Sequence, residues 1–490
     1  VSHTYSIEKL VDEQRFGRFN LNLLFWCFLA MFADGFDIAA LASAAPALAR
    51  DWDLSPSAFG PALSASLFGV LFGAPLLGYV GDRYGRRTAI ISGCVIYGLG
   101  TLATVWTTNL TEVIVLRFIT GIGIGGLMPN TIALNSELAP KRLRATLVVL
   151  MFTGITTGSG APGNIQAWLI PEYGWEIMFW IGGLAPLIIA LCLKFALPES
   201  VKYLARRPER RAELLATVRR LRPDLQIPDD AQFILGADPE AAAAKTPAGA
   251  RGEDSALRQL GGATGLKQLY SGSLAFITPL LWLCFATALM ANYFLNSWLP
   301  LIFESNGLTP KQAGIATSLY HYGGTIGGIL VSLVLGRYGF VVIAALFLLA
   351  GPAIAAIGLE GISYGMMALM GAVAGFCVLG AQFGNNAASG LIYPTAVRSR
   401  GVGWALGIGR FGSILGPLVG GALIALQLPL QKLFLLAATP MFVGVIAAIL
   451  LARLSYLRLG GTQLDDAPAA PPGVATSSSP AAIATPDSTK

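Results

Sequence analysis

Charge is what this sequence has least of: Asp, Glu, Lys and Arg together make up 12% of its 490 residues, about half of the roughly 25% usual in soluble domains. That shortage, with 54% hydrophobic residues and a mean hydropathy of +0.64, excludes an ordinary soluble domain. Histidine is nearly missing, with two in the chain, and Cys27, Cys94, Cys192, Cys284 and Cys377 all fall inside apolar runs with no close pair. Neither a disulfide framework nor a metal cluster fits that distribution, so the cysteines read as small core residues. No nucleophile elbow or phosphate loop survives the test of its structural context, so neither an enzyme nor a cofactor or metal is expected. A cleavable signal is not expected either, because the charged stretch Glu8 to Arg18 leads into an apolar run too long for a signal h-region.

What is present is a series of apolar runs of membrane-spanning length, roughly 20 residues each. Twelve are read, centred on 20–48, 58–80, 88–107, 111–136, 145–170, 175–197, 273–303, 311–335, 340–358, 362–388, 400–426 and 431–454. The net charge of +6 is spread unevenly between them. Lys9, Arg15 and Arg18 precede the first span, Arg83, Arg86 and Arg87 follow the second, and Lys141, Arg142 and Arg144 follow the fourth. Arg337, Arg398, Arg400, Arg453 and Arg458 continue the pattern, while the opposite loops carry little beyond Arg50, Lys311, Lys432, Glu304 and Glu360. This positive-inside asymmetry predicts a multi-pass membrane protein with both termini in the cytoplasm. The basic balance reports topology, so the lipid bilayer is an expected partner and nucleic acid is not.

Residues 198–272 interrupt the spans with a polar segment that opens on Pro198-Glu199-Ser200 and a basic amphipathic stretch. The expected organisation is a cytoplasmic N-terminus at 1–19, a six-helix bundle at 20–197, a cytoplasmic loop at 198–272, a second six-helix bundle at 273–454 and a disordered cytoplasmic tail at 455–490. The halves match at one offset of 254 residues, set by Pro56 and Pro310. In that register Pro46 meets Pro300, Gly69 Gly323, Gly73 Gly327, Arg83-Tyr84-Gly85 Arg337-Tyr338-Gly339, Pro140 Pro394, Arg144 Arg398 and Gly158 Gly412. Prolines, a tripeptide and an arginine in one ungapped register indicate a true repeat, hence an all-α bundle of two like halves that can rock about a site at their interface.

Gly121-Ile122-Gly123-Ile124-Gly125-Gly126 formally matches a dinucleotide fingerprint, but it sits within an apolar helix and not between a strand and a helix. Gly121 with Gly125, Gly69 with Gly73, Gly323 with Gly327 and Gly412 with Gly416 read as small-residue faces for close helix packing. Gly78-Tyr79-Val80-Gly81-Asp82-Arg83-Tyr84-Gly85-Arg86-Arg87 carries more: it resembles the cytoplasmic signature of the major facilitator superfamily. That resemblance implies a conformational latch involving Asp82, Arg83, Arg86, Arg87, Arg144 and Arg398. The second copy has Gly336 where Asp82 sits, so the latch is expected to be one-sided. Arg117-Phe118-Ile119-Thr120-Gly121 is similar to the fourth-helix motif of proton-coupled members, and Gly412-Ser413-Ile414-Leu415-Gly416-Pro417, in the eleventh span, reads as a structural kink.

Ionisable residues inside spans are costly and are functional candidates by default. Here they are Asp34, Asp37, Arg117, Glu137, His321 and Arg410. Asp34 and Asp37, three residues apart, are expected on one helix face. Asp34-Gly35-Phe36-Asp37 resembles the signature of the aromatic acid/proton symporter family, and Arg117, Glu137, His321, Arg398 and Arg410 occupy matching positions, over roughly 15–455. The resemblance implies proton-driven uptake of a benzoate-like or hydroxybenzoate-like anion. A guanidinium binds a carboxylate at two points, so Arg410 or Arg117 can supply the cation. Phe36, Tyr293, Trp298, Tyr320, Tyr322 and Phe383 are candidate walls for the ring, and Gln382, Asn385 and Asn386 candidate amides for its substituents. Asp34 or Asp37, in alternating proximity to Arg117, is the expected proton carrier; Glu137, grouped with them, lies nearer the latch. The expected molecule is a monomer with an aromatic carboxylate and protons as its partners. The rival readings are a symporter for another organic anion or a sugar, a drug/proton antiporter, and a transporter-like chemoreceptor signalling through 198–272.

Overall fold

The computed structural model describes residues 4–235, 269–270, 274–393 and 397–459. Six long helices come first: α1 (Arg18–Asp51), α2 (Phe59–Tyr84), α3 (Arg86–Ala103), α4 (Leu110–Leu138), α5 (Arg144–Trp168) and α6 (Glu176–Ala196). Six follow: α7 (Leu274–Ser305), α8 (Pro310–Tyr338), α9 (Phe340–Ile357), α10 (Tyr364–Ile392), α11 (Arg398–Ala425) and α12 (Leu430–Leu459). Eleven of the twelve are long and apolar enough to cross a membrane. The exception is α5, whose run is broken by Thr153, Thr156, Thr157, Ser159, Asn164 and Gln166. It packs between α1 and α8, where these groups find protein partners: Thr156 accepts from Thr325 at 2.7 Å, and Asn164 donates to the Tyr322 hydroxyl at 2.8 Å. Helices are one of two available solutions, the other being a closed barrel, since a backbone in hydrocarbon must satisfy its own polar groups.

The repeat holds at the level of individual contacts. In the first half α1 packs on α5, α2 on α4 and α3 on α6; in the second, α7 packs on α11, α8 on α10 and α9 on α12. A Cβ on Gly69 would collide with the Phe118 carbonyl, and one on Gly323, its equivalent, with the Ala372 carbonyl. Gly158 meets the Phe32 carbonyl as Gly412 meets that of Ala286. Each contact reproduces its counterpart at the sequence offset, so the small residues mark where the backbones must touch. Gly85 and Gly339, also equivalent, both adopt positive φ (105° and 55°) and turn the chain into α3 and α9.

The halves meet along α5 with α8, α2 with α11 and α1 with α7. At the end away from the basic loops, Arg50 of α1 pairs with Glu304 of α7, and Gln166 of α5 donates to the same carboxylate at 2.8 Å. At the basic end a small cap covers the first half. Thr4–Ser6 and Gln232–Ile234 form a parallel two-stranded pair. The amphipathic helix Arg211–Leu221 buries Leu214, Leu215, Val218 and Leu221 against Ile7, Leu10 and Val11. The basic amphipathic stretch read after Pro198 is this helix. The Ala/Asp-rich part of the central segment, 236–268, and residues 460–490 of the expected tail lie outside the described residues.

Candidate binding cavity between the two halves

A cavity of about 120 Å³ lies between the halves, lined by α1, α2, α4, α5, α7, α8, α10 and α11. At roughly 10–15 Å³ for each water-sized sphere, that is space for about ten such spheres, the size class of one ring bearing a carboxyl. Its walls are mainly apolar: Leu67, Val70, Ile124, Phe152, Ile155, Leu289, Leu379 and Phe383. Phe152 and Phe383 meet edge to face across the halves, with ring centroids 6.5 Å apart. Into this slot the first half presents Asp34, and the second presents Asn292, Tyr293, Asn296, His321, Gln382, Asn386 and Arg410.

The charged pair within the cavity is unmatched. Asp34 is 3% exposed, and its Oδ1 has no hydrogen-bond partner. Arg410 has no carboxylate within 4.0 Å among the described residues; its Nη2 rests 3.9 Å from the Met128 sulfur, on the opposite half. Asp37 is placed differently. Arg117 Nη1 lies 3.2 and 3.1 Å from its two carboxylate oxygens, Arg117 Nη2 donates to Thr101 Oγ1 at 3.0 Å, and Thr101 donates to Asp37 Oδ1 at 2.5 Å. The Phe179 ring sits 5.5 Å from the guanidinium carbon. This buried cluster ties α1, α3, α4 and α6 together outside the cavity, with Arg117 Nε left unpaired. The expected shared face of Asp34 and Asp37 therefore does not give a shared environment: three residues turn the helix by about 300°, leaving the two side chains about 60° apart. Gly35 between them packs against the Ile155 carbonyl of α5, which leaves no room for a Cβ.

Seven residues singled out in the sequence line the cavity: Asp34, Tyr293, His321, Gln382, Phe383, Asn386 and Arg410. The other proposed contact residues are not on its wall. Tyr320 stands behind it, donating to Asn292 Oδ1 at 2.9 Å, while Asn292 donates to Gln382 Oε1 at 3.2 Å. Tyr322 sits at the α5–α8 seam. Trp298 is buried and donates to the Pro417 carbonyl at 3.0 Å. Phe36 packs toward Gly182 of α6, and Asn385 donates to the Cys284 carbonyl at 3.3 Å. Phe152, Thr156, Ser159, Asn292 and Asn296 went unremarked in the sequence. Asn292 and Asn296 had a visible signal, two amides four residues apart in an otherwise apolar span.

At the basic end the signature residues pair within the first half and its cap. Arg86 Nη2 lies 2.6 Å from Asp82 and Nε 3.9 Å from Glu137, and Glu137 accepts from the Ser200 hydroxyl. The Glu199 carboxylate accepts from the Arg87 and Ser200 amides at 3.1 and 2.9 Å, and burial pushes its pKa above the ordinary 4.5. Arg87 reaches Glu213 at 3.4 Å and Arg144 reaches Asp12 at 3.7 Å. Arg83 points outward over Tyr84, and Arg398 donates to the Tyr393 carbonyl at 3.2 Å in its own half. Glu137 thus belongs with this network and not with Asp37 and Arg117.

Two like six-helix halves around a central cavity define a membrane transporter fold. The chain belongs to the major facilitator superfamily, whose model matches residues 27–278 and 281–473. Among solved structures it is similar to the xylose transporter XylE from E. coli in a partially occluded inward-open conformation, with TM-score 0.62 at 16% identity over 88% of this chain and 97% of that one. A bacterial homologue of the human lysosomal transporter Spinster matches with TM-score 0.60 at 18% identity, over 93% of this chain and 100% of that one. Both share the fold. In sequence the chain is 33% identical to the 4-hydroxybenzoate transporter PcaK of Pseudomonas putida, over 93% of this chain and 98% of the relative. It is 35% identical to a gallate transporter of the same species, over 90% and 94%, and 31% identical to the benzoate transport protein of Acinetobacter baylyi, over 92% and 93%.

Proposed function

We propose that the protein imports a small monocyclic aromatic carboxylate together with protons, across a bacterial inner membrane and by alternating access. The observation that carries this reading is Arg410: a guanidinium with no ion pair among the described residues, on the wall of a mainly apolar, ring-sized cavity shared by both halves. A carboxylate supplies the missing two-point partner, and the Phe152–Phe383 slot takes the ring. The relatives named for 4-hydroxybenzoate, gallate and benzoate support the same cargo class.

Charge counting supports proton coupling. Asp34 and Arg410 make the empty cavity neutral when both are ionised. An incoming anion adds one negative charge, and a proton on Asp34 removes it, so the empty and fully loaded cavities are both neutral. Intermediate states carry a net charge in a low-dielectric site, which is costly. The stoichiometry that follows is one proton per anion, with Asp34 as carrier and the Asp37–Arg117–Thr101 cluster as the fixed strut beside it. With the basic end in the cytoplasm, the Arg50–Glu304 contact ties the two halves together at the outer end.

The test is uptake of labelled aromatic acids into proteoliposomes. An inside-alkaline pH gradient should drive accumulation, and a protonophore should abolish it while leaving exchange of labelled for unlabelled acid. Accumulation that persists after the gradient has collapsed rules out the symport.

A further inference from the structure

The internal repeat shows what one outer corner of the molecule lacks. At the end away from the basic loops, α1 and α7 finish in the same turn. The Trp52 amide bonds the Leu48 carbonyl and the Leu54 amide that of Ala49, both at 3.0 Å. At the repeat offset, the Asn306 amide bonds the Ile302 carbonyl and the Leu308 amide that of Phe303, both at 3.1 Å. Asp53 and Gly307, also equivalent, have positive φ of 48° and 89°. The next helices at this corner keep step, since α6 opens at Glu176 and α12 at Leu430, again 254 residues apart. The side chains do not match. In the first half Trp52 meets Trp175 edge to face with centroids 5.7 Å apart, and Trp175 meets Phe179 in the same way at 5.8 Å, an arrangement that aromatic rings favour. The equivalent positions of the second half hold Asn306, Pro429 and Leu433, none of them aromatic. A cavity of about 330 Å³ lies at that corner, against about 120 Å³ for the central one.

We propose that this outer cavity is a second binding site, separate from the central one, for a small uncharged aromatic molecule of the indole or phenol class. Its wall includes the apolar Leu301, Ile302 and Leu433. No charged side chain lines it, so an anion finds no counter-charge there and would lose hydration for nothing. Polar side chains supply orientation: Ser55 and Ser57 from the first half, Asn306 and Gln427 from the second. Asn306 donates through Nδ2 to the Ile302 carbonyl at 2.8 Å, which leaves its Oδ1 to accept from the N–H or O–H of a ligand. A flat apolar ring system with one donor is also what the first half places at its own corner, in Trp52 and Trp175. Small-molecule sites commonly take this form, a mainly apolar cleft with a few polar groups at a boundary between structural units. Because Ser55 and Ser57 belong to one half and the remaining wall to the other, an occupant touches both. It therefore holds the halves together at the same end as the Arg50–Glu304 contact.

The test uses the full-length protein in lipid nanodiscs, with radiolabelled indole as the probe and empty nanodiscs as the blank. Indole should bind saturably at one site per chain. Asn306→Trp restores the side chain found at Trp52, and Ser57→Trp fills the cavity from the opposite half. Each variant, once matched to the parent protein by its thermal midpoint, should bind indole about tenfold or more weakly. Phenol should displace the probe, and cyclohexanol, of similar size but not aromatic, should do so about tenfold less well. Saturating indole should also slow labelling, from the outer side, of a cysteine introduced near Ile38. No saturable binding to the unmodified protein overturns the proposal outright. Binding that survives both substitutions puts the indole elsewhere and overturns the site. Cyclohexanol competing as well as phenol overturns the aromatic class, and an unchanged labelling rate overturns the bridging of the halves.

Discussion

Arg50 and Glu304 occupy equivalent positions of the two repeats, 254 residues apart, and they form an ion pair with each other. Equivalent positions touch only where the pseudo-twofold axis passes between them, so the contact lies at the axis, on the end opposite the basic loops. The same offset aligns the glycine contacts of α2 with α4 and of α8 with α10. Symmetric packing thus carries an asymmetric pair of charges, and Gln166 adds a second donor to the Glu304 carboxylate.

Glu304→Gln should loosen that end. Arg50 is half exposed, so the pair contributes on the order of 0.2–1 kcal/mol, and the shift toward the state open at that end should be a few-fold at most. Rates of thiol labelling at a cysteine introduced near Ile38 measure it. A labelling rate equal to that of the parent protein would mean the ion pair is not part of the closure.

Arg410→Lys tests the carboxylate ligand. Lysine keeps the charge and loses the planar two-point grip, so aromatic acid affinity should fall by one to two orders of magnitude, the scale of a charge-assisted bond at about 1.5–3 kcal/mol. Calorimetric titration reads it directly. Binding close to that of the parent protein would move the anion site elsewhere.

Arg117 and Asp37 form a buried ion pair. Breaking a buried ion pair from one side costs about 3–5 kcal/mol because the other charge is left stranded. Arg117→Ala should therefore lower the thermal midpoint in detergent sharply, and the double change Arg117→Ala with Asp37→Ala should recover part of the loss. A single variant as stable as the parent protein would contradict the strut role.

Glu199 should make the cap pH-sensitive. Its pKa is raised above 4.5 by burial, against the opposing pull of its amide donors and Arg87, so the folded cap holds a proton that the undocked segment gives up more readily. Such a group stabilises the docked form below the ordinary carboxyl pKa, and that contribution is lost as pH rises through the raised value. Hydrogen exchange in Arg211–Leu221 should quicken above pH 4.5 more than base catalysis of exchange explains, and Glu199→Gln should flatten the excess. An excess that survives the substitution would assign the pH dependence to another group.

The sequence alone determined the twelve long helices, the two halves and their register, because long apolar runs and a fixed offset are properties of the chain read locally. It also placed Asp34, His321 and Arg410 among the candidates, since an ionisable group in an apolar helix is conspicuous. Only the tertiary structure separated Asp34 from Asp37 and His321 from Tyr320. Rotation by one or three residues sends a side chain to a different neighbour, and which neighbour waits there depends on how the other helices tilt and pack. For the same reason Trp298, Tyr322 and Asn385, plausible as site residues by type and depth, lie off the cavity wall, each hydrogen-bonded to a neighbouring helix. Asn296 entered the cavity because α7 meets α1 at Ile38, a contact between residues 258 positions apart that no local pattern encodes.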